Sequence, residues 1–136
     1  MNHALHGAYR RTDYEAAGAI ARIGERSAGV DALLASLDAP EGAFVTAWTP
    51  MSRPMPWGWN DRMGQRLREA ARRLRHAEGW GRAQGGGWAE QHLFIAADAR
   101  RIAVLARRFR QNAIMVVRRG QPGRLVVLRR ATGSAT

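Results

Sequence analysis

"EGWGRAQGGGW", residues 78–88, decides how this chain is read as a fold. Five of its eleven residues are glycine, and it stands between a helical pattern and an apolar run. That composition reads as a surface loop. With a loop here, a helix on one side must lead to a strand on the other. The strands of the chain then alternate with helices, and a parallel arrangement with crossovers follows.

Working outward, the helix before the loop runs from about 61 to 77. Met63, Leu67, Ala70, Ala71, Leu74 and Ala77 form its apolar stripe, with arginines around the rest, and His76 reads as a solvated helix residue. Before it lies "AFVTAWTPMSRPMPWGWNDR", residues 43–62. Phe44 to Trp48 has the aromatic and β-branched content of a strand. Pro50, Pro54 and Pro56 lack amide donors, so 49–59 reads as a stiff loop, and Asn60 as the cap of the helix.

Residues 1–12 read as a flexible tail, and Ala19–Ile23 as a weak strand closed by Gly24. Ser27 can cap a helix with Val30, Leu33, Leu34 and Leu37 on one face, and Pro40 lies beyond its end. After the glycine-rich loop, "HLFIAA" (92–97) reads as a buried strand. Asp98 caps a helix carrying Ile102, Leu105, Ala106 and Phe109, and "AIMVVRR" and "RLVVLRR" form a hairpin across "GQPG". The expected fold is α/β (α+β). It has one mixed sheet of about five strands in the order β-α-β-α-β-α-β-β, flanked by helices, with a C-terminal hairpin. Residues 13–130 make the domain, and 131–136 a second flexible tail.

The 136 residues are 46% hydrophobic, enough for a core. The chain lacks cysteine, so disulfides, thiolate nucleophiles and cysteine metal sites are excluded. No apolar run approaches the ~20 residues of a membrane span, and "MNHALHGAYRR" has no signal-peptide pattern. A cytoplasmic location is the expectation. Net charge is +11, carried wholly by arginine. Residues 1–60 hold 5 arginines against 6 acids, and residues 61–136 hold 17 against 5. Such asymmetry points to an anionic partner, or to arginines that simply solvate helix faces.

Three groups of residues offer chemistry. The first is the segment after the second strand, because ligands of α/β sheets sit beyond strand carboxyl ends. It supplies Thr46, Thr49, Ser52 and Arg53, the tryptophans Trp48, Trp57 and Trp59, and helix amides at Asn60 for an anion. The second is Glu90 with His92, two residues apart and so on one face of a strand; a Glu–His pair can move a proton or join a metal site, although no third ligand is evident. The third is the arginine set Arg66, Arg72, Arg73, Arg107 and Arg108, which could contact phosphates while Trp57 or Trp59 stacks a base. No P-loop, nucleophile elbow, zinc cluster or recognised nucleic-acid motif is present. No cofactor or metal is expected.

The stretches "AYRRTDYE", "RIGERS", "FVTAWTPMS", "WAEQHLFIA" and "ARRFRQNAIMVVRRG" resemble, in order, the bacterial domain-of-unknown-function family 3293 over roughly residues 8–128. The family usually has asparagine where this chain has Thr49, and often glycine where it has Arg110. The resemblance brings no activity. It implies that Thr46, Trp48, Ser52, Asn60, Glu90 and Gln111 gather in space, and that strong basicity belongs to this chain more than to its relatives.

Three functions are therefore expected in turn. The leading one is a non-catalytic module that binds RNA or DNA through its arginine helices. The second is a small-molecule-binding or catalytic pocket built from the Thr46–Asn60 segment with Glu90 and Gln111. There Glu90 would be the acid–base group, Thr46 and Ser52 the donors. The third is a protein–protein adaptor with an exposed tryptophan patch.

Overall fold

A computed structural model of the chain describes residues 3–49 and 53–128. Among these residues are four helices and seven strands. In chain order they are α1 (His3–Arg10), β1 (Thr12–Ala16), β2 (Ala19–Ala21), α2 (Ala28–Ser36), β3 (Glu41–Val45) and α3 (Trp57–Ala70). Then come β4 (Arg75–Ala83), β5 (Ala89–Ala96), α4 (Ala99–Arg108), β6 (Ala113–Arg118) and β7 (Arg124–Val127). The strands form one sheet in the order β2-β1-β4-β5-β3-β6-β7. Every neighbouring pair is antiparallel. The mixed five-stranded sheet is thus corrected to a seven-stranded antiparallel one, within the expected α+β class.

The correction traces to residues 75–83. They are strand, paired with β5 from Arg75↔Ala96 to Arg82↔Ala89 and with β1 from Gly79↔Ala16 to Ala83↔Thr12. Their glycines serve close approach rather than a turn. A Cβ on Gly79 would lie 2.6 Å from the Glu15 carbonyl oxygen, and one on Gly81 would lie 2.7 Å from His92 Cε1. The turn is confined to the residues between β4 and β5. With β4 in place, β4 and β5 are a hairpin, and no parallel crossover is needed. His76 is accordingly a half-buried strand residue, its Nδ1 2.7 Å from the Leu74 carbonyl oxygen.

Other boundaries also move. The first strand is Thr12–Ala16, joined to β2 by Ala17 and Gly18, both with positive φ, as a tight hairpin requires. Residues 3–10, read as tail, are α1. The second expected strand ends at Val45, so Trp48 lies beyond it. α3 starts four residues before its expected point, with Pro56 at the cap position. Ser27 caps α2 by accepting from Val30 N, and Asp98 caps α4 by accepting from Arg100 N, as the residue types foretell.

The sheet curls until its two ends touch. Gly24 N–H donates to the Gly123 carbonyl oxygen at 2.8 Å, and Gly123 N–H donates to the Glu25 carbonyl oxygen at 3.0 Å. Alternation then sorts the side chains. Ala43, Val45, Leu93, Ile95, Ile114 and Val116 face outward under α3 and α4. Tyr14, Ala16, Phe44, Phe94, Met115 and Val117 face inward, where Val30 and Leu34 of α2 fill one end of the curl. No helix among the described residues is long and apolar enough to cross a membrane.

Both α2 and α4 end in Schellman motifs. At α4, Gln111 N–H donates to the Ala106 carbonyl oxygen and Arg110 N–H to that of Arg107. Arg110 therefore sits at φ +56°, a left-handed position that glycine fills without strain. We expect Arg110→Gly to raise stability by about 1 kcal/mol, since the left-handed conformation costs an L side chain ~1–2 kcal/mol. Gly79→Ala should instead lose about 1–3 kcal/mol by overpacking. Gly85→Ala, with nothing within 4 Å of its Cβ, should stay within about 1 kcal/mol of the parent. Urea unfolding of the three variants checks all three.

Candidate functional site

At the end of the curl opposite α2, the inward faces leave a cavity of about 480 Å³. Its walls come from α1 (Ala8, Tyr9), β1 (Thr12, Tyr14), β3 with its exit (Phe44, Thr46, Trp48, Thr49), and the approach to α3 (Pro54, Met55, Asn60). The remainder comes from Trp88 to His92 and from Gln111 to Met115. The volume lies within the range of small-molecule sites.

The sequence-expected pocket residues Thr46, Trp48, Thr49, Asn60, Glu90 and Gln111 all line this one cavity. Ser52 lies outside the described residues. Several of the six are occupied in holding the wall. Thr46 Oγ1 donates to the Gln91 carbonyl oxygen at 2.6 Å and accepts from Trp48 N–H at 3.1 Å. Its only proton is used there, so its expected role as a donor to ligand is corrected to a structural one. Gln111 Nε2 donates to the carbonyl oxygens of Trp48 and Phe109, at 2.9 and 3.2 Å. The Schellman turn before it sets that reach. Asn60 Nδ2 donates to the Met55 carbonyl oxygen at 3.3 Å.

Asn60 does not cap α3. Its amide N–H donates to the Pro56 carbonyl oxygen at 3.0 Å, inside the helix, so no anion site exists at that amide. The side chain matters for another reason. Asn60 Oδ1 is buried and has no hydrogen-bond partner among the described residues. Trp48 Nε1, packed beside Gly64 of α3, is the second such atom. A buried unpaired polar atom is costly, and in a cavity wall it marks a place for a ligand atom or water.

Glu90 and His92 share the inward face of β5, as their spacing requires. Thr49 Oγ1 donates to Glu90 Oε2. Thr49 adopts φ +44°, a conformation in which asparagine is far more at ease than a β-branched residue. His92 Nδ1 lies 3.0 Å from the Glu90 carbonyl oxygen, which can only accept. Nδ1 therefore carries the proton and Nε2 the lone pair. Burial pushes the His92 pKa below its ordinary value, with the Glu90 charge opposing, so the ring is neutral. Burial likewise drives the Tyr14 phenol up, beyond the ordinary tyrosine range, aided by Tyr9 and Glu90. It stays protonated, with its ring edge-on to His92 at 5.7 Å.

Thr12, Tyr14 and Tyr9 escaped the sequence reading. The signal for the first two was the alternation of "TDYEA", whose Thr12, Tyr14 and Ala16 are all buried.

The arginines lie on the outer face. Arg66, Arg72, Arg73 and Arg108 border two adjoining hollows between α3 and α4, the larger of which also holds Arg53, Arg110 and Trp59. Arg72, just beyond α3, pairs with Glu69 of that helix. Arg107 is exposed on α4 and lines neither hollow. Trp57 and Trp59 belong to the first turn of α3 rather than to a loop. Trp57 is 68% exposed, with its ring edge-on to Trp48 at 5.3 Å.

A curled antiparallel sheet with helices on its outer face and a lined cavity at one end defines a small α+β domain with an internal site. Residues 45–114 match the family described as protein of unknown function, DUF3293, and the chain belongs to that family. Comparison with curated proteins and with solved structures gives no match. The matched stretch contains the cavity residues from Thr46 to Gln111, while Tyr9, Thr12 and Tyr14 precede it.

Neutral His92 gives stability a pH dependence. Its folded-state pKa is below the unfolded value near 6.5, so the unfolded chain binds the extra proton. Stability should fall as pH drops below about 6.5, with a contribution approaching ~1.4 kcal/mol per unit. His92→Gln should flatten that slope in urea titrations between pH 5 and 7.5. An unchanged slope would mean that His92 protonates in the folded chain.

Proposed function

We propose that this protein binds a small organic molecule in the cavity at the open end of the curl. The observation that carries the reading is the convergence of five separated segments on one cavity: 8–14, 44–49, 54–60, 88–92 and 111–115. Their polar groups include a buried acceptor, Asn60 Oδ1, left without a partner among the described residues. A pocket of mostly apolar and aromatic walls with a few fixed polar groups is the usual form of a ligand site. Glu90, held by Thr49, is the group there best suited to move a proton, should the ligand be a substrate.

The test fills the space. Ala8 is half-buried on α1 at the cavity wall. Ala8→Trp should leave the fold intact by circular dichroism and abolish binding of fragments found by saturation-transfer NMR on the parent. Fragments that bind both forms equally would place binding elsewhere and overturn the reading.

A second reading concerns the outer face. Arginines of two helices surround two hollows, with Trp59 in one of them, and this arrangement supports binding of a nucleic-acid backbone with a base stacked on the indole. Titration against single-stranded RNA at several salt concentrations tests it. Joint Arg72→Ala, Arg73→Ala and Arg108→Ala substitution should lower the salt slope by about 2, at ~0.7 per phosphate contact. Joint substitution of the exposed Arg10, Arg26 and Arg124 should change it little. Equal effects would reduce the binding to general polycation behaviour.

A further inference from the structure

The cavity has a charge character opposite to that of the chain. The protein carries net +11, yet among the described residues lining the cavity no arginine appears, and Glu90 is the only charged side chain. His92, the other titratable group of pH-neutral range, is held neutral by burial. Two lining residues carry acceptors: Asn60, whose buried Oδ1 has no partner among the described residues, and His92, whose Nε2 keeps its lone pair because the Nδ1 bond to the Glu90 carbonyl oxygen fixes the tautomer. The donors of Thr46 and Gln111 are already taken by backbone oxygens. Around these acceptors stand the rings of Tyr14, Phe44, Trp48 and Trp88.

A carboxylate with acceptors inside an aromatic enclosure is complementary to an organic cation, which gains both an ion pair and ring-face attraction. An anion would meet Glu90 without a compensating cation. We propose that the ligand is an aromatic or heteroaromatic amine, protonated at neutral pH. Its ammonium group is placed at Glu90 and its ring lies among the tryptophans. This rests on the cavity reading above and narrows it to a ligand class. The surface arginines do not prevent entry, because their repulsion is screened within about 8 Å at physiological salt.

The experiment uses three probes matched in shape: 2-phenylethylamine, 2-phenylethanol and phenylacetate. Binding to the full chain is read by quenching of the cavity tryptophans and confirmed by calorimetry. We expect the amine to bind at least tenfold tighter than the alcohol, and phenylacetate to bind weakest. In Glu90→Gln the preference of amine over alcohol should shrink to within about twofold, with the alcohol's own affinity kept. That retained alcohol binding also shows that the variant is folded. If amine and alcohol bind equally, and Ala8→Trp removes both, the amine class is overturned while the cavity reading stands. If no probe binds, or if binding persists in Ala8→Trp, the cavity reading falls with it. An amine preference that survives Glu90→Gln overturns the assignment of the ammonium to Glu90.

Discussion

The small inward face of β4 is the constraint on which the rest of the structure depends. Its inward positions are Ala77, Gly79, Gly81 and Ala83, between β1 on one side and β5 on the other. Where a side chain would stand, Gly79 meets the Glu15 carbonyl oxygen and Gly81 meets the His92 ring. A strand without inward bulk lets its neighbours' side chains lean over it, so the sheet can curl far enough for its ends to meet at Gly24 and Gly123. The same emptiness at Gly81 gives His92 room to lie against the strand, edge-on to Tyr14. Curl and cavity are thus two results of one choice of residues.

That choice also explains what the sequence hid. α2 and α4 were legible because capping and periodicity are local: Ser27 and Asp98 stand where the caps are, and the apolar stripes of both helices face the core. β4 was not legible, because a strand whose inward face is glycine and alanine carries no alternation of hydrophobicity. Its outward face, His76, Glu78, Trp80 and Arg82, is half polar. Only its long-range pairing with β1 and β5 makes it a strand. Missing it removed a hairpin and turned antiparallel neighbours into apparent crossovers. The candidate site fared better, because loop residues after a strand and a Glu–His spacing survive a wrong topology. β3 pairs with β5, which brings Thr46 and Thr49 to Glu90. The β1 wall, with Tyr14 and Thr12, was lost along with β1.

The two departures from the resembled family pattern have a conformational account. Thr49 and Arg110 both adopt positive φ, at +44° and +56°. Asparagine and glycine, which the resemblance implies there, are the types that enter this region most readily. On that resemblance, the two positions carry backbone shape at the β3 exit and at the end of α4. Both places determine the site: one positions the Thr49 hydroxyl on Glu90, and the other delivers Gln111 to the Trp48 carbonyl oxygen. A family signature at these positions constrains the frame of the cavity without requiring either side chain to touch a ligand.

Segregation of charge gives the molecule two faces of different composition. Arg66, Arg72, Arg73 and Arg108 stand around the outer hollows, Arg72 paired with Glu69. Among the described residues, the lining of the inner cavity contains no arginine and one carboxylate, Glu90. An arginine on the inner face would have to be desolvated, and Glu90 already accepts from Thr49. With arginine outside, Glu90 is the one charged side chain among the described lining residues, and the proposed ammonium site rests on that. The sheet between the two faces keeps the two kinds of charge apart.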